Sequence, residues 1–358
     1  MSRILRKLFL FLPLLGLQIP TDLLAQQEPK AATALAEIAL LDGPSRMQRL
    51  VEDAKKEGEL TVYMTMGTDD CALILDAFTK KYGIKVKIWR SSSENVLGRI
   101  VGEQRAGRSE IDLVQNVAME MEALHRERVL QAVKSPELDY LVPKAVPLHR
   151  EWAAYAIVPI VQSYNPKIVK QEDIPKSYQD LLDPRWKGRL GIEAEDQTWF
   201  GYLSHELGEE ATHKLFRNII AANGVSVRKG HTLLANLVVA GEVPLALTVY
   251  SNKAETLRQK GHPVGWFTIP PTIAALLAVG IPKTAPHPHA AMLLYDFMLS
   301  AEGQRIMATT NYLPTSNKVE RPILKNVPLT FIDPPQALDM QEKWGKAYEE
   351  IVTKRTKQ

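Results

Sequence analysis

Between Glu59 and Asp76 the chain passes from an alternating apolar run, through a polar turn containing a glycine, into residues spaced as a helix. Leu60, Val62 and Met64 alternate with Thr61, Tyr63 and Thr65, the period of a strand, and the run from Cys71 to Thr79 repeats apolar residues at helical spacing. The turn between them, Met66-Gly67-Thr68-Asp69-Asp70, sets small hydroxyls and free backbone N–H groups at a helix N-terminus and at the carboxyl end of a strand. That is where α/β proteins hold small ligands. The arrangement returns at Ser91 to Glu94, Gln115 to Val117, Glu195 to Thr198 and Tyr250 to Lys253. Strands alternating with helices in this way predict an α/β chain with mostly parallel sheets flanked by helices. Two such units would present their loops to each other across a cleft.

Strands are expected at 85–89, 111–114, 189–192, 243–249 and 265–269. Helices are expected at 46–57, 95–104, 119–128, 208–222, 230–240, 289–298 and 337–352, the one at 289–298 strongly amphipathic. A serine such as Ser91 or Ser92 also suits the N-cap of the helix at 95–104. Glu151 to Asn165 is extended throughout, too long for one ordinary strand and interrupted by Pro159, so it is expected to cross into a second lobe. Pro270-Pro271 and the apolar stretch Ile273 to Ile281 then return the chain to the first. The expected division is a leader over 1–25, a first lobe over 45–158 and 270–310, a second over 159–269 and 311–335, and a C-terminal helix over 336–358.

Arg3, Arg6 and Lys7 precede an apolar run from Leu8 to Leu17, with Ala25 beyond it, the pattern of a cleaved secretory signal. The run is shorter than the roughly 20 residues that span a bilayer, so a periplasmic location is expected rather than a membrane anchor. With Cys71 the sole cysteine, no intrachain disulfide forms, and stability has to come from a large core, which 358 residues at 45% hydrophobic supply. The net charge of +3 is interspersed, so no nucleic-acid footprint exists. No metal-ligand spacing, phosphate loop, Gly-x-Ser-x-Gly elbow or local triad occurs. Neither catalysis nor a cofactor nor a metal is therefore expected, and the chain reads as a monomer. His287 and His289, which flank a proline before a helix, read as capping residues.

Several runs occur in a fixed order: Gly58-Glu-Leu-Thr-Val-Tyr63, Asp76-Ala-Phe-Thr-Lys-Lys-Tyr-Gly-Ile-Lys-Val86, Leu182-Asp-Pro-Arg-Trp-Lys-Gly-Arg-Leu190 and Ala240-Gly-Glu-Val243. Ile281-Pro-Lys283, Pro286-His-Pro-His-Ala-Ala291 and Ser300-Ala-Glu-Gly-Gln-Arg305 complete the series. On these, from about Arg49 to the C-terminus, the chain resembles the periplasmic solute-binding proteins of ABC importers, in the group that contains the ferric-iron-binding proteins. The resemblance implies a type II two-lobed fold with crossing hinge strands, closure around one small-molecule solute, and a membrane ABC permease as partner.

On that basis Thr65, Gly67, Thr68, Ser91, Ser92 and Asn116 are expected to hold an oxyanion or carboxylate from the first lobe. Asp69, Glu195 or Asp196 would hold an amine or order water, and Trp199 and Tyr250 would close from the second lobe. The expected solute is small and polar, anionic or zwitterionic. Ferric iron is the alternative: iron-binding members use adjacent tyrosines where Tyr250 is here followed by Ser251 and Asn252. They also use a histidine after the first strand and a glutamate after the third, where this chain has neither. An alternative of another class is an exported enzyme on the same fold, with Glu195 or Asp196 as general base.

Overall fold

A computed structural model describes residues 35–354. The expected leader over 1–25 lies outside the described residues, as do 355–358 of the expected C-terminal helix. Helix α1 (Arg46–Glu57) ends at Gly58, whose φ of 76° suits a residue without a Cβ, and the chain turns directly into β1 (Glu59–Met64). The alternation continues through α2 (Thr68–Tyr82), β2 (Lys85–Arg90), α3 (Ser93–Arg105), β3 (Leu113–Val117) and α4 (Ala118–Arg126). Strand β1 lies between β2 and β3 and is parallel to both, with Val62 opposite Ile88 on one side and Leu113 on the other. Parallel pairing brings the carboxyl ends of all three strands to one edge.

Strand β4 (Trp152–Tyr164) is buried along all thirteen residues. Its first part pairs antiparallel with β9 (Thr272–Gly280), from Trp152 opposite Gly280 to Pro159 opposite Ala274. From Ile160 opposite Tyr250 onward it pairs with β7 (Leu245–Tyr250). The expected interruption at Pro159 does not occur. Proline has no N–H to donate, and it stands where β4 changes partners, a position that a central strand tolerates. Strand β9 runs back between β4 and β3, so among the described residues eleven strands form one continuous sheet across both lobes, its main path running β2-β1-β3-β9-β4-β7 and on through the strands at Leu190–Glu193 and Ser226–Arg228.

The second half supplies β5 (Leu190–Glu193), α5 (Gln197–Leu207), α6 (Glu209–Asn223), β6 (Ser226–Arg228), α7 (His231–Ala240), α8 (Ser251–Gln259) and β8 (Gly265–Phe267). Strand β5 is parallel to β6 and β7, so the carboxyl ends of these three also share an edge. Three-residue β6 has no expected counterpart, being too short to show an alternation. The chain ends through α9 (Pro288–Leu299), α10 (Ala301–Ala308), β10 (Leu313–Pro314), β11 (Leu329–Phe331) and α11 (Pro334–Tyr348).

Helix α9 is not amphipathic in its surroundings: every residue from Ala290 to Leu299 is buried, because α1 covers the face that the sheet does not. Within this contact Arg46 donates to the Asp296 carboxylate. The start of α9 is held as a cap: Glu57 accepts from the N–H groups of His289 and Ala290, and Asp112 accepts from the N–H of His287 at 2.6 Å.

Two apolar cores result. The first contains Val62, Phe78, Ile157, Leu276 and Tyr295, the second Trp186, Phe200, Phe216, Leu247 and Trp344. Residues 311–335, expected wholly in the second lobe, divide between them: Tyr312, Leu313 and Leu324 join the first core, and Ile332 packs on the second.

Helix α11 docks on α5 where Gly201 leaves room for Trp344. A Cβ there would lie 2.1 Å from the indole, well inside contact distance. Gly201→Ala gains helix propensity worth up to about 1 kcal/mol, but the overlap forces the buried indole out of place. The expected net result is a loss of about 1–3 kcal/mol in chemical unfolding, and an unchanged midpoint would contradict this docking.

Candidate functional site

At the first lobe's edge, most of the expected ligand residues are occupied by the protein itself. The Oε1 of buried Gln115 accepts from the Thr65 N–H (3.0 Å), the Thr65 hydroxyl (3.3 Å) and the Met66 N–H (3.1 Å), so Thr65 ties the β1 turn to β3. Asn116 is fully buried and donates to the Ser93 carbonyl at 3.0 Å, fixing the neighbouring loop; it is a strut, not a ligand group. Ser92 caps α3 by accepting from the Asn95 N–H, and Ser91 accepts from the Asn95 side chain at 3.1 Å. Helix α2 begins at Thr68, earlier than the spacing from Cys71 indicates, which leaves Thr68 and Asp69 exposed in its first turn after Gly67. The buried carboxylate there is Asp70, which accepts from Lys253 of α8 and from the Tyr312 hydroxyl, both at 3.0 Å.

The second lobe's edge is different. Glu193, the last residue of β5, is buried, and its carboxylate accepts from the Gly230 N–H at 2.7 Å. Asp196 is 7% exposed; its Oδ1 lies 3.3 Å from Nε2 of His231, and its Oδ2 has no partner. Tyr250, at the end of β7, places its ring 3.8 Å from that of His231. Donor atoms of Glu193, Asp196 and His231 lie within 4.8 Å of one another. They come from the end of a strand, the residue before α5 and the start of α7, so no linear spacing announces the set. Glu195 points away to solvent, paired with Lys229 at 2.6 Å. Trp199 is a correction: it is 1% exposed and packs edge-on against Tyr178 and Phe216 in the second core. The helical period of α5 turns it inward with Phe200 and Leu203.

Electrostatics connect this cluster to the first lobe. Burial pushes the Tyr250 phenol well above its usual range, and the charges of Asp196, Glu193, Glu120 and Glu94 push it further, so it remains a neutral hydroxyl. Glu120 and Glu94 belong to the first lobe's α4 and α3. Glu120 is buried with Oε2 unpartnered, and its pKa is pushed up to about 7 by that burial. Burial alone lowers the His231 pKa, but Asp196 and Glu193 outweigh it and leave it raised. Burial, then Asp196, raise the pKa of Glu193. An imidazole, two carboxyl groups and a phenol thus meet on the second lobe, with a third carboxyl facing from the first. Such a set offers acceptors that suit a cation or a solute rich in hydrogen-bond donors. Glu193, His231 and Glu120 were absent from the expected site; the visible signals were the Glu193-to-Asp196 run and a histidine following Gly230.

Glu120 has a pKa of 4.5 when unfolded and about 7 when folded, so the native state binds the extra proton and stability falls as pH rises between these values. Glu120→Gln removes that dependence. Relative to the parent, the variant gains up to roughly 3 kcal/mol from acid to alkaline pH in chemical unfolding; parallel profiles would refute the assignment.

The family profile described as Bacterial extracellular solute-binding protein matches residues 111–336. Iron uptake protein A1 of Synechocystis sp. is 26% identical over 303 residues, covering 80% of this chain and 82% of that protein. The Fe(3+)-binding periplasmic protein of Serratia marcescens is 23% identical over 340 residues, covering 90% and 97%. The solved structure of the periplasmic binding protein AfuA from Actinobacillus pleuropneumoniae, with fructose-6-phosphate bound, superposes with a TM-score of 0.72 at 21% identity, covering 83% of this chain and 99% of that one. The two-lobed type II architecture described above is shared with that structure, and the chain belongs to the bacterial extracellular solute-binding proteins.

Proposed function

We propose that this protein is the periplasmic solute-binding component of an ABC importer, which captures a small polar solute between its lobes and delivers it unchanged to a membrane permease. The first lobe is taken as 45–158 with 270–310 and the second as 159–269, with β4 and β9 as the hinge. The observation that carries the reading is the buried, unpartnered Asp196 Oδ2 in the cluster with Glu193 and His231, whose ring lies 3.8 Å from that of Tyr250; Glu120 Oε2 on the first lobe is likewise unpartnered. A buried carboxyl oxygen without a partner is costly, and at the end of a strand facing the other lobe a bound solute would satisfy it. A zwitterionic solute fits best. Its cationic end is held by Asp196, Glu193 and the Tyr250 hydroxyl, and its anionic end by the first-turn N–H groups of α2 at Gly67 to Asp69, where the helix dipole favours negative charge. Contacts to both lobes favour the closed state, so the permease senses occupancy as shape.

Ferric iron is the second reading, supported by the clustering of Glu193, Asp196 and His231 beside Tyr250 and by the names of two relatives. Hard anionic oxygens suit that ion, although a single phenolate is available.

A thermal-shift and calorimetric screen over amino acids, phosphonates, polyamines and ferric citrate separates the two. The expected result is a saturable shift with an organic solute that is recovered chemically intact. Asp196→Asn and Tyr250→Ala each weaken the identified solute at least tenfold, while Ser92→Ala and Glu195→Gln leave it within about twofold, because they remove a cap and a surface charge. A visible charge-transfer band with ferric salts alone would select iron, turnover of the solute would select an enzyme, and full affinity in Tyr250→Ala would remove the site.

A further inference from the structure

A second set of donors lies outside the cleft. Glu122 and His125 stand three residues apart on α4, and the turn before β4 brings His149 against them. Glu120 is two residues from Glu122, about 200° around the helix, so the two carboxylates serve different faces. The rings of His125 and His149 stack with centroids 3.7 Å apart and 8° between their planes. Two imidazolium rings would repel at that spacing, whereas neutral imidazole, the metal-ligating form, stacks without penalty.

The hydrogen bonds around the stack favour a ligand. The Nδ1 of His125 donates to Glu151 Oε2 at 2.8 Å, which leaves its Nε2 lone pair free. A carboxylate on the far ring nitrogen is the usual support of a metal-bound histidine. The Nε2 of His149 lies 3.3 Å from Glu122 Oε2, and Glu122 is buried. Its other oxygen is 3.7 Å from Arg126, whose guanidinium is engaged by Asp339 at 2.5 Å.

We propose that Glu122, His125 and His149 form a site for a borderline divalent transition-metal cation of the zinc type, with Glu151 as the outer support of His125. Donor atoms of the three residues lie within 4.8 Å of one another. Tetrahedral ligation brings donors to roughly 3.4 Å apart with their in-plane lone pairs converging, so binding tilts the two rings out of their stack, and the partial exposure of both histidines leaves room for it. Two imidazoles and one carboxylate favour this class of ion over magnesium or calcium, and water completes four-coordination. In the metal-free state His149 Nδ1 accepts from the Glu151 N–H at 3.1 Å, so the ring proton sits on Nε2 toward Glu122. The ion takes the Nε2 position, the proton moves to Nδ1, and the Glu151 amide contact is given up. Binding therefore ties α4 to the base of β4.

Zn2+ titration of the full chain against a chromophoric chelator tests this, in a His231→Ala background that disables the cleft cluster. One Zn2+ per chain is expected. His125→Gln and His149→Ala each weaken it by roughly 100-fold or more, Glu151→Gln by about 10–100-fold, and Co2+ gives the intense visible bands of a four-coordinate ion. Circular dichroism verifies folding of each variant, and His125→Gln, on the more exposed ring, stands in if His149→Ala fails to fold. Equal Zn2+ affinity in the folded variants, or a Co2+ spectrum of the six-coordinate aquo type, would overturn the proposal. Either result leaves solute binding in the cleft untouched.

Discussion

The cleft depends on the antiparallel ladder between β4 and β9. A chain that crosses from one apolar core to another through buried space has to satisfy every amide on the way, and a sheet does so without side chains. Strand β4 solves this by exchanging one neighbour for another: it leaves β9 at Pro159 and takes up β7 at Ile160. Because β3 joins β9 and β5 joins β7, both lobes hang from this pair of strands. The carboxyl ends of β1 to β3 and of β5 to β7 are thereby brought to face the same space. Rotation about two strands also disturbs few hydrogen bonds, which suits a hinge.

Against that rigid frame the buried carboxylates fall into two kinds. Asp112 accepts from the N–H groups of Thr61 and His287, and Asp70 from Lys253 and Tyr312; each is a tie between distant segments. Asp196 and Glu120 each keep one buried carboxyl oxygen without a partner, and Glu193, which accepts from the N–H groups of Gly230 and Glu195, has its pKa raised by burial and by Asp196. Interaction energy withheld from folding is available to a ligand, a common reason for binding sites to be poorly satisfied before they are filled.

The fold was largely legible because its signals are local. Alternation at Leu60 to Met64, glycines closing helices and the long extended run at Glu151 to Asn165 each report on neighbours in the chain. The site was less legible because its residues meet through the fold. Hydroxyls and amides at strand ends look alike in sequence whether they brace the protein, as Thr65, Ser92 and Asn116 do, or face a solute. Trp199 shows the same limit: its place at a helix start beside acidic residues does not say which way it points, and the packing of α5 against Tyr178 and Phe216 does. His231 lies thirty-five positions from Asp196 in sequence and 3.3 Å from it in space.

Shared architecture therefore fixes less about the solute than about how it is held. In the iron-binding group that the chain resembles, a second tyrosine follows the first after the strand equivalent to β7. Here that position is Ser251, fully buried at the start of α8, followed by Asn252, also buried. Neither supplies a second phenolate beside Tyr250. The anionic character of the second lobe comes instead from Glu193 and Asp196, on the neighbouring strand end, and is moderated by a histidine drawn in from α7. A phenolate pair strips a hard metal of its water. A carboxyl pair beside a neutral phenol instead presents hydrogen-bond acceptors, the complement of a solute that carries donors. The difference lies in loops at strand ends, where the frame tolerates it and the clamp is left intact.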